Sequence, residues 1–263
     1  MTQVTKHEPG RWCWMELATT DPESAKAFYG GLFGWSFLDT PAGPGMTYTF
    51  VRLDGDDVGA LYAQPAEQRE AGAPPHWLPY VATGDADASA ATARAAGGTV
   101  VGPHAVGEAG KSAYVTDPQG AVLGLWWAKE HCGTQRYGEI GALCWVELRT
   151  TDPEAAGDFY RRLFGWGHRD SSADAPGGHY VEWLDGAEPI GGMMRIPEEW
   201  GPVPPHWSIY LLVDDADAVA ARVGELGGKV VVPPTDIAGV GRFAAFADPQ
   251  GAHFQVFRPE AQG

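Results

Sequence analysis

Residues Cys13–Trp35 read CWMELATTDPESAKAFYGGLFGW, and residues Cys144–Trp166 read CWVELRTTDPEAAGDFYRRLFGW. Each copy opens with the period-two alternation of a strand, which predicts Trp14 and Glu16 on one face and Cys13, Met15 and Leu17 on the other. A helix start follows: Asp21 is a good N-cap, Pro22 fits the first helical position, and Ala25, Phe28, Tyr29 and Leu32 recur at helical spacing before Gly34 closes the element. The segment therefore specifies a strand feeding a helix, written twice at an offset of 131 residues.

The duplication extends outward from that segment. PPHW at Pro74–Trp77 returns at Pro204–Trp207, the pair Gly97-Gly98 at Gly227-Gly228, and DPQG at Asp117–Gly120 at Asp248–Gly251, all within a residue of one offset. After the first helix, strands are expected through Tyr48–Leu53 and Val58–Ala63. His76–Ala82 then opens a second strand of the same kind, Asp85 caps a second helix ending at Gly97-Gly98, and short strands near Val100, at Ser112–Thr116 and at Ala121–Trp127 close around DPQG as a hairpin turn. Each half is βαβββ twice. The predicted fold is α+β, a tandem repeat of paired βαβββ modules, four in all, in halves 1–130 and 142–263 joined by a linker at 131–141.

Composition narrows the partners. Eighteen Lys and Arg against thirty-four Asp and Glu give a formal charge of −16, which repels nucleic acid and anionic membranes. No apolar run approaches the roughly 20 residues of a membrane span, and the start MTQVTKHEPGR lacks the apolar stretch of a signal peptide, so a cytoplasmic protein, monomer or homodimer, is expected. Cys13, Cys132 and Cys144 lack metal-type spacing and are read as reduced thiols, the first and third at equivalent positions of the repeat.

A strand followed by D-P-x-x-A-x-x-F-Y-x-x-L-F-G-W, then G-G and a D-P-x-G hairpin, resembles the vicinal oxygen chelate superfamily of glyoxalases, bleomycin-resistance proteins and extradiol dioxygenases, and most closely its tandem glyoxalase-like members. The resemblance implies U-shaped mixed sheets with helices on the outer face and a site on each concave face, either two sites or one intact and one degenerate. It also implies, for metal-dependent members, a His, Gln or Glu at four points. In this chain those points fall at Trp14 and Trp145, near Ala60-Leu61 and Gly192-Met193, near Leu78 and Ser208, and at Gly124 and Gln255. That donor set holds no divalent cation, so neither metal nor other cofactor is expected.

The residues left on the expected concave faces are Glu16 and Glu147 with His76 and His206, candidate acid–base groups, and Trp14, Trp145, Tyr80, Tyr210, Leu78, Ser208 and Gln255 as ligand-binding candidates. For the histidines the competing reading is a loop cap behind the two prolines; for the glutamates it is an Arg or backbone partner. Segments Asp39–Met46 and Ser171–Gly178 are read either as lids beside the mouth or as ordinary hairpin loops. The expected partner is a small, planar or carbonyl-bearing molecule of secondary metabolism. Three functions remain open: a metal-free isomerase or lyase, a sequestering binder of the bleomycin-resistance kind, and a metalloenzyme with displaced ligands.

Overall fold

The computed structural model describes residues 3–171 and 178–260. The first half runs β1 (Trp12–Thr19), α1 (Pro22–Phe33), β2 (Ser36–Gly43), β3 (Met46–Leu53), β4 (Asp56–Ala63), α2 (Ala66–Glu70), β5 (His76–Ala82), α3 (Ala86–Ala95), β6 (Thr99–Val106), β7 (Gly110–Thr116) and β8 (Val122–Ala128). The second repeats it as β9 (Leu143–Thr150), α4 (Pro153–Phe164), β10 (Gly167–Asp170), β11 (Tyr180–Asp185), β12 (Glu188–Arg195), β13 (His206–Leu212), α5 (Ala216–Glu225), β14 (Lys229–Ile237), β15 (Gly241–Ala247) and β16 (His253–Pro259). Asp21 caps α1 by accepting from the Ser24 amide, and Gly34 ends it in the left-handed region, as the punctuation requires.

Each half is one eight-stranded sheet, ordered β2-β3-β4-β1-β5-β8-β7-β6 and β10-β11-β12-β9-β13-β16-β15-β14. The two modules of a half meet through their opening strands: β1 pairs antiparallel with β5, while β4 and β8 run parallel to the opening strand of their own module. A flat sheet of eight strands would hold its edges about 33 Å apart. Residues of both edge strands β2 and β6 line a single cavity, so the sheet curls.

The outer faces carry the helices and the shared core. Met15, Leu17, Phe28, Tyr29, Trp77, Leu148, Phe159, Tyr160, Trp207 and Phe254 belong to one buried cluster drawn from both halves. Helix α1 reaches the second half: Phe28 stacks edge-on with Phe254 at 6.0 Å, and a Cβ on Gly228 would lie 2.8 Å from the Phe28 ring. Phe159 of α4 presses in the same way on Gly98, where a Cβ would lie 2.9 Å from its ring. The second glycine of each GG pair is thus fixed by an aromatic ring from the other half. Tyr29 donates to Asp248 Oδ2 at 3.1 Å and Tyr160 to Asp117 Oδ2 at 3.0 Å, so the DPQG turn of each half is tied to the helix of its neighbour. Trp35 donates to the Gly141 carbonyl, and Trp166 to that of Gly10.

Two local expectations are corrected. Cys13 does not share a face with Met15 and Leu17: the β1–β5 register slips between Trp12 and Trp14, a bulge that sends Trp12 to the shared core and leaves Cys13 in the cluster with Trp14 and Tyr80. Asp39–Met46 is no loop but the end of edge strand β2 and its turn into β3, since an edge strand tolerates Pro41. The counterpart Ser171–Gly178 lies almost wholly outside the described residues. Residues 131–141, read as a linker, bond to both halves: the Thr134 amide donates to the Cys13 carbonyl at 2.6 Å and that of Gln135 to Asp57 at 2.7 Å, while the amides of Gly138 and Gly141 donate to the Leu143 and Leu212 carbonyls at 2.8 Å.

Candidate functional site

The first sheet encloses a cavity of about 550 Å³ to which all eight strands contribute. Strand alternation points Trp14 and Glu16 of β1 into it, and the pairing of β1 with β5 sets Tyr80 opposite Trp14 and Leu78 opposite Glu16. Tyr48 and Tyr62 arrive from β3 and β4, Tyr114 from β7, and Trp126 from β8.

Glu16 sits at the centre of this arrangement, 9% exposed. Tyr48 donates to its Oε1 at 2.6 Å and Tyr80 to its Oε2 at 2.6 Å; the Trp14 indole in turn donates to the Tyr48 oxygen at 3.0 Å. Burial raises the Glu16 carboxyl above the ordinary range, and the hydrogen bonds from Tyr48 and Tyr80 pull against that rise. The same burial, with Glu16 beside them, pushes the phenols of Tyr48 and Tyr80 up, so both remain hydroxyl donors. A carboxyl raised toward neutrality and flanked by two hydroxyls can hold a proton, release it, or pair with a positive group.

The structure does not bring His76 into the cavity. It stands opposite Ala18, two residues along from Leu78, and its Nδ1 donates to the Pro74 carbonyl at 2.9 Å; His206 does the same to Pro204 at 2.8 Å. The tryptophan of each PPHW is a core residue, Trp77 donating to Tyr29 and Trp207 to Tyr160. PPHW thus clips the start of β5 and β13 while anchoring the tyrosine that crosses to the other half. The imidazole that does line the cavity is His131, from the segment read as a linker. Its ring meets Trp14 edge-on at 4.7 Å and Trp126 at 6.0 Å, its Nε2 lies 3.8 Å from Asp57 Oδ2, and its carbonyl accepts from the Trp126 indole. Nothing in the repeat marks His131, because it lies outside the regular elements.

In the second half the equivalent residues meet differently. Tyr210 donates to Glu147 Oε2 at 3.0 Å and the Trp145 indole donates to Tyr180, which matches the first half. Arg149 does not. It replaces Ala18, donates from Nε to Glu147 Oε1 at 2.9 Å, and rests 5.0 Å from the Trp200 ring centre. Burial opposes the Arg149 charge, but Glu147 and Tyr210 outweigh it and hold the guanidinium's proton more firmly than usual. Burial lowers His206, and Arg149 adds to that lowering. Ser208 faces Glu147, and Gln255, beside Tyr210, is buried with its Oε1 unpartnered. Glu147 is therefore neutralised from within.

At the four metal positions implied by the family resemblance, the residues present do not fit a divalent cation. In the first half the points hold Trp14, Ala60, Leu78 and Gly124 around a single carboxylate. The space a side chain at Gly124 would need is taken, since its Cβ would lie 2.1 Å from the Tyr80 ring. In the second half a Cβ on Gly192 would collide with the Tyr180 hydroxyl, and Gln255 with Ser208 does not make a hard-ion or imidazole site. Among the described residues no group of three or more His, Cys, Asp or Glu converges to hold a metal ion, and no helix is long and apolar enough to cross a membrane.

Known proteins agree with this architecture. The chain is 41% identical over its full length, and that of the relative, to a Mycobacterium tuberculosis protein named "Putative glyoxylase CFP32". It is 35% identical to the anthracycline biosynthesis protein DnrV of Streptomyces peucetius over 96% of this chain and 94% of that one. Among solved structures, the Mn(II)-bound glyoxalase of Novosphingobium aromaticivorans superposes with a TM-score of 0.66 at 18% identity, covering 95% of this chain and 82% of that one, a likeness of fold alone. The family model described as Glyoxalase/Bleomycin resistance protein/Dioxygenase superfamily matches residues 13–125 and again 142–256, one copy to each eight-stranded sheet, and the chain belongs to that superfamily.

Proposed function

We propose that the chain binds a planar aromatic or carbonyl-bearing small molecule in the cavity of the first half, without a metal, and that Glu16 is its proton-transfer group. The observation that carries this reading is the Glu16 carboxyl held at 2.6 Å by Tyr48 and Tyr80 inside an aromatic-walled cavity. Flat walls such as Trp14 and Trp126 suit a planar guest. Glu16, carried as carboxylate, takes a proton from a carbon next to a ligand carbonyl; a tyrosine hydroxyl donates a hydrogen bond to the enolate oxygen; the proton returns at a different atom, an isomerisation with no net change in composition. The DnrV likeness supports a polycyclic aromatic metabolite as the class of ligand. The second reading is sequestration without turnover, favoured by a lining in which Glu16 and His131 are the only acidic or basic side chains besides tyrosine phenols.

Titration with 2-(hydroxymethyl)anthraquinone, which has no chelating hydroxyl pair, tests the binding claim by fluorescence quenching and native mass spectrometry. One equivalent is expected per chain, unchanged by EDTA, and Trp14→Ala should weaken it at least tenfold, about 1.4 kcal/mol. Binding that EDTA removes and Mn²⁺ restores, or no binding at all, overturns the reading. Turnover lost in Glu16→Gln with affinity kept marks an enzyme; affinity and structure unchanged with no turnover in either protein marks a binder.

A further inference from the structure

The two halves treat the same buried carboxylate in opposite ways, and the difference identifies the charge of the ligand. In the second half, Glu147 is paired at 2.9 Å with Arg149, whose guanidinium is also laid on the face of Trp200 at 5.0 Å. A buried carboxylate, a cation beside it and an aromatic ring under the cation form a complete site. The first half has every part of that site except the cation. Glu16 is as deeply placed, Tyr48 and Tyr80 hold it, and the aromatic faces of Trp14, Phe50, Tyr62 and Trp126 surround the space in front of it. Where Arg149 stands, the first half has Ala18, and the lining of its cavity includes no lysine or arginine.

We propose that the first-half cavity takes a ligand bearing a protonated amine or similarly compact organic cation, and that this group pairs with Glu16 as Arg149 pairs with Glu147. The inference rests on the reading of that cavity as the ligand site and adds the charge class of what enters it. Burying a carboxylate away from any cation is costly, and a positive group supplied by the guest recovers the Coulomb energy that the second half obtains from its own arginine. The surrounding ring faces are negative and favour a cation over a neutral isostere. A carboxylate ligand would meet Glu16 with nothing to neutralise the pair. The overall charge of −16 acts in the same direction at long range, raising the local concentration of cations.

An isosteric series separates charge from shape: 2-(aminomethyl)anthraquinone as the cation, 2-(hydroxymethyl)anthraquinone as the neutral form and anthraquinone-2-carboxylate as the anion. Titrations run at pH 8 and in 0.3 M NaCl, where the Debye length is on the order of 6 Å and diffuse attraction is screened. The amine is expected to bind at least tenfold more tightly than the alcohol, and the carboxylate more weakly than either. Glu16→Gln should erase the advantage of the amine while leaving the alcohol within threefold. Ala18→Arg, which writes the second-half arrangement into the first, should remove amine binding, and Glu70→Gln, an exposed charge change on α2, should alter nothing. Near-UV circular dichroism checks that each variant is folded, and the Glu16→Gln and Ala18→Arg arms reach the same point by different chemistry. Equal affinity for amine and alcohol, or a preference for the amine that survives Glu16→Gln, overturns the charge assignment and leaves the aromatic cavity standing. Failure of all three probes to bind overturns the cavity reading as well.

Discussion

Arg149→Ala should be among the most damaging single substitutions in the second half, and the reason can be worked from the geometry. The Nε to Oε1 separation is 2.9 Å, with the two side chains 13% and 5% exposed. At an effective dielectric of about 20 this pair is worth about 6 kcal/mol gross, most of it offset by the desolvation of both ions. Removing the arginine alone leaves the Glu147 desolvation in place, with only neutral tyrosine hydroxyls, Tyr210 and Tyr180, to answer it, and deletes the contact with Trp200, worth about 0.5–1 kcal/mol. A loss of about 3–5 kcal/mol is expected. With an urea m-value on the order of 3 kcal/mol/M, the midpoint should fall by about 1–1.7 M in equilibrium unfolding at pH 8. Adding Glu147→Gln to Arg149→Ala removes the stranded charge and should restore all but about 1 kcal/mol, a coupling of at least 2 kcal/mol in the double-mutant cycle. An Arg149→Ala loss below 1 kcal/mol, or a double variant no more stable than the single, would refute the view that this pair neutralises the second cleft from within.

Three more outcomes follow from the same contacts. The Glu16 carboxyl is raised in the folded state, so the stability it confers is complete below its unfolded value and is lost as pH rises through the folded one; relative to the native protein, Glu16→Gln should gain about 1.4 kcal/mol per unit of that rise between pH 4 and pH 8, and thermal melts in which the variant instead loses ground at pH 8 contradict it. Gly124→Ala puts a Cβ 2.1 Å from the Tyr80 ring and must break the Tyr80 to Glu16 bond, costing about 2–4 kcal/mol in chemical unfolding, with Tyr80→Ala relieving part of it; strict additivity of the two would show that they do not meet. Tyr29→Phe and Tyr160→Phe each strand a buried indole N–H and one carboxylate oxygen, Oδ2, of a buried aspartate, so each should cost about 2–3 kcal/mol and lower one common transition rather than that of a single half, as calorimetry of both variants will report.

Much of the fold is legible in the chain because its punctuation is strong and local. Asp21, Pro22 and Gly34 fix the first helix, and the alternation of WMEL from Trp14 to Leu17 fixes which of those side chains of β1 share a face. What escapes is whatever depends on a partner strand. Cys13 changes sides through a bulge that appears only in the pairing with β5. Strand β2 carries Pro41 and Gly43 and reads as a loop until it is seen to pair on one side alone. Tyr48, Tyr62 and Tyr114 reach the cavity from strands whose register against β1 no single segment encodes, and His131 comes from a connection with no periodicity at all. One signal was in plain view: the repeats ELATT and ELRTT differ by Ala18 against Arg149, two residues after each glutamate and on its face of the strand. Such an i+2 difference between otherwise matching strands is where a buried charge either acquires or lacks a partner.

The reciprocal packing explains how two nearly identical halves accommodate that difference. The demands that the fold places on each half fall on its outer face, where Phe28 needs Gly228, Phe159 needs Gly98, and the two tyrosines need the opposite DPQG aspartates. None of these contacts involves the concave faces. A change such as alanine to arginine at the position after Glu-Leu therefore alters the interior of one cleft without touching the surface by which that half supports the other. The second half can keep an internally neutralised cleft and still supply the first with the helix contacts and turns its curled sheet is built against. The same separation means that closing the first cleft with Ala18→Arg should leave the shared core, and the folding of the whole chain, intact.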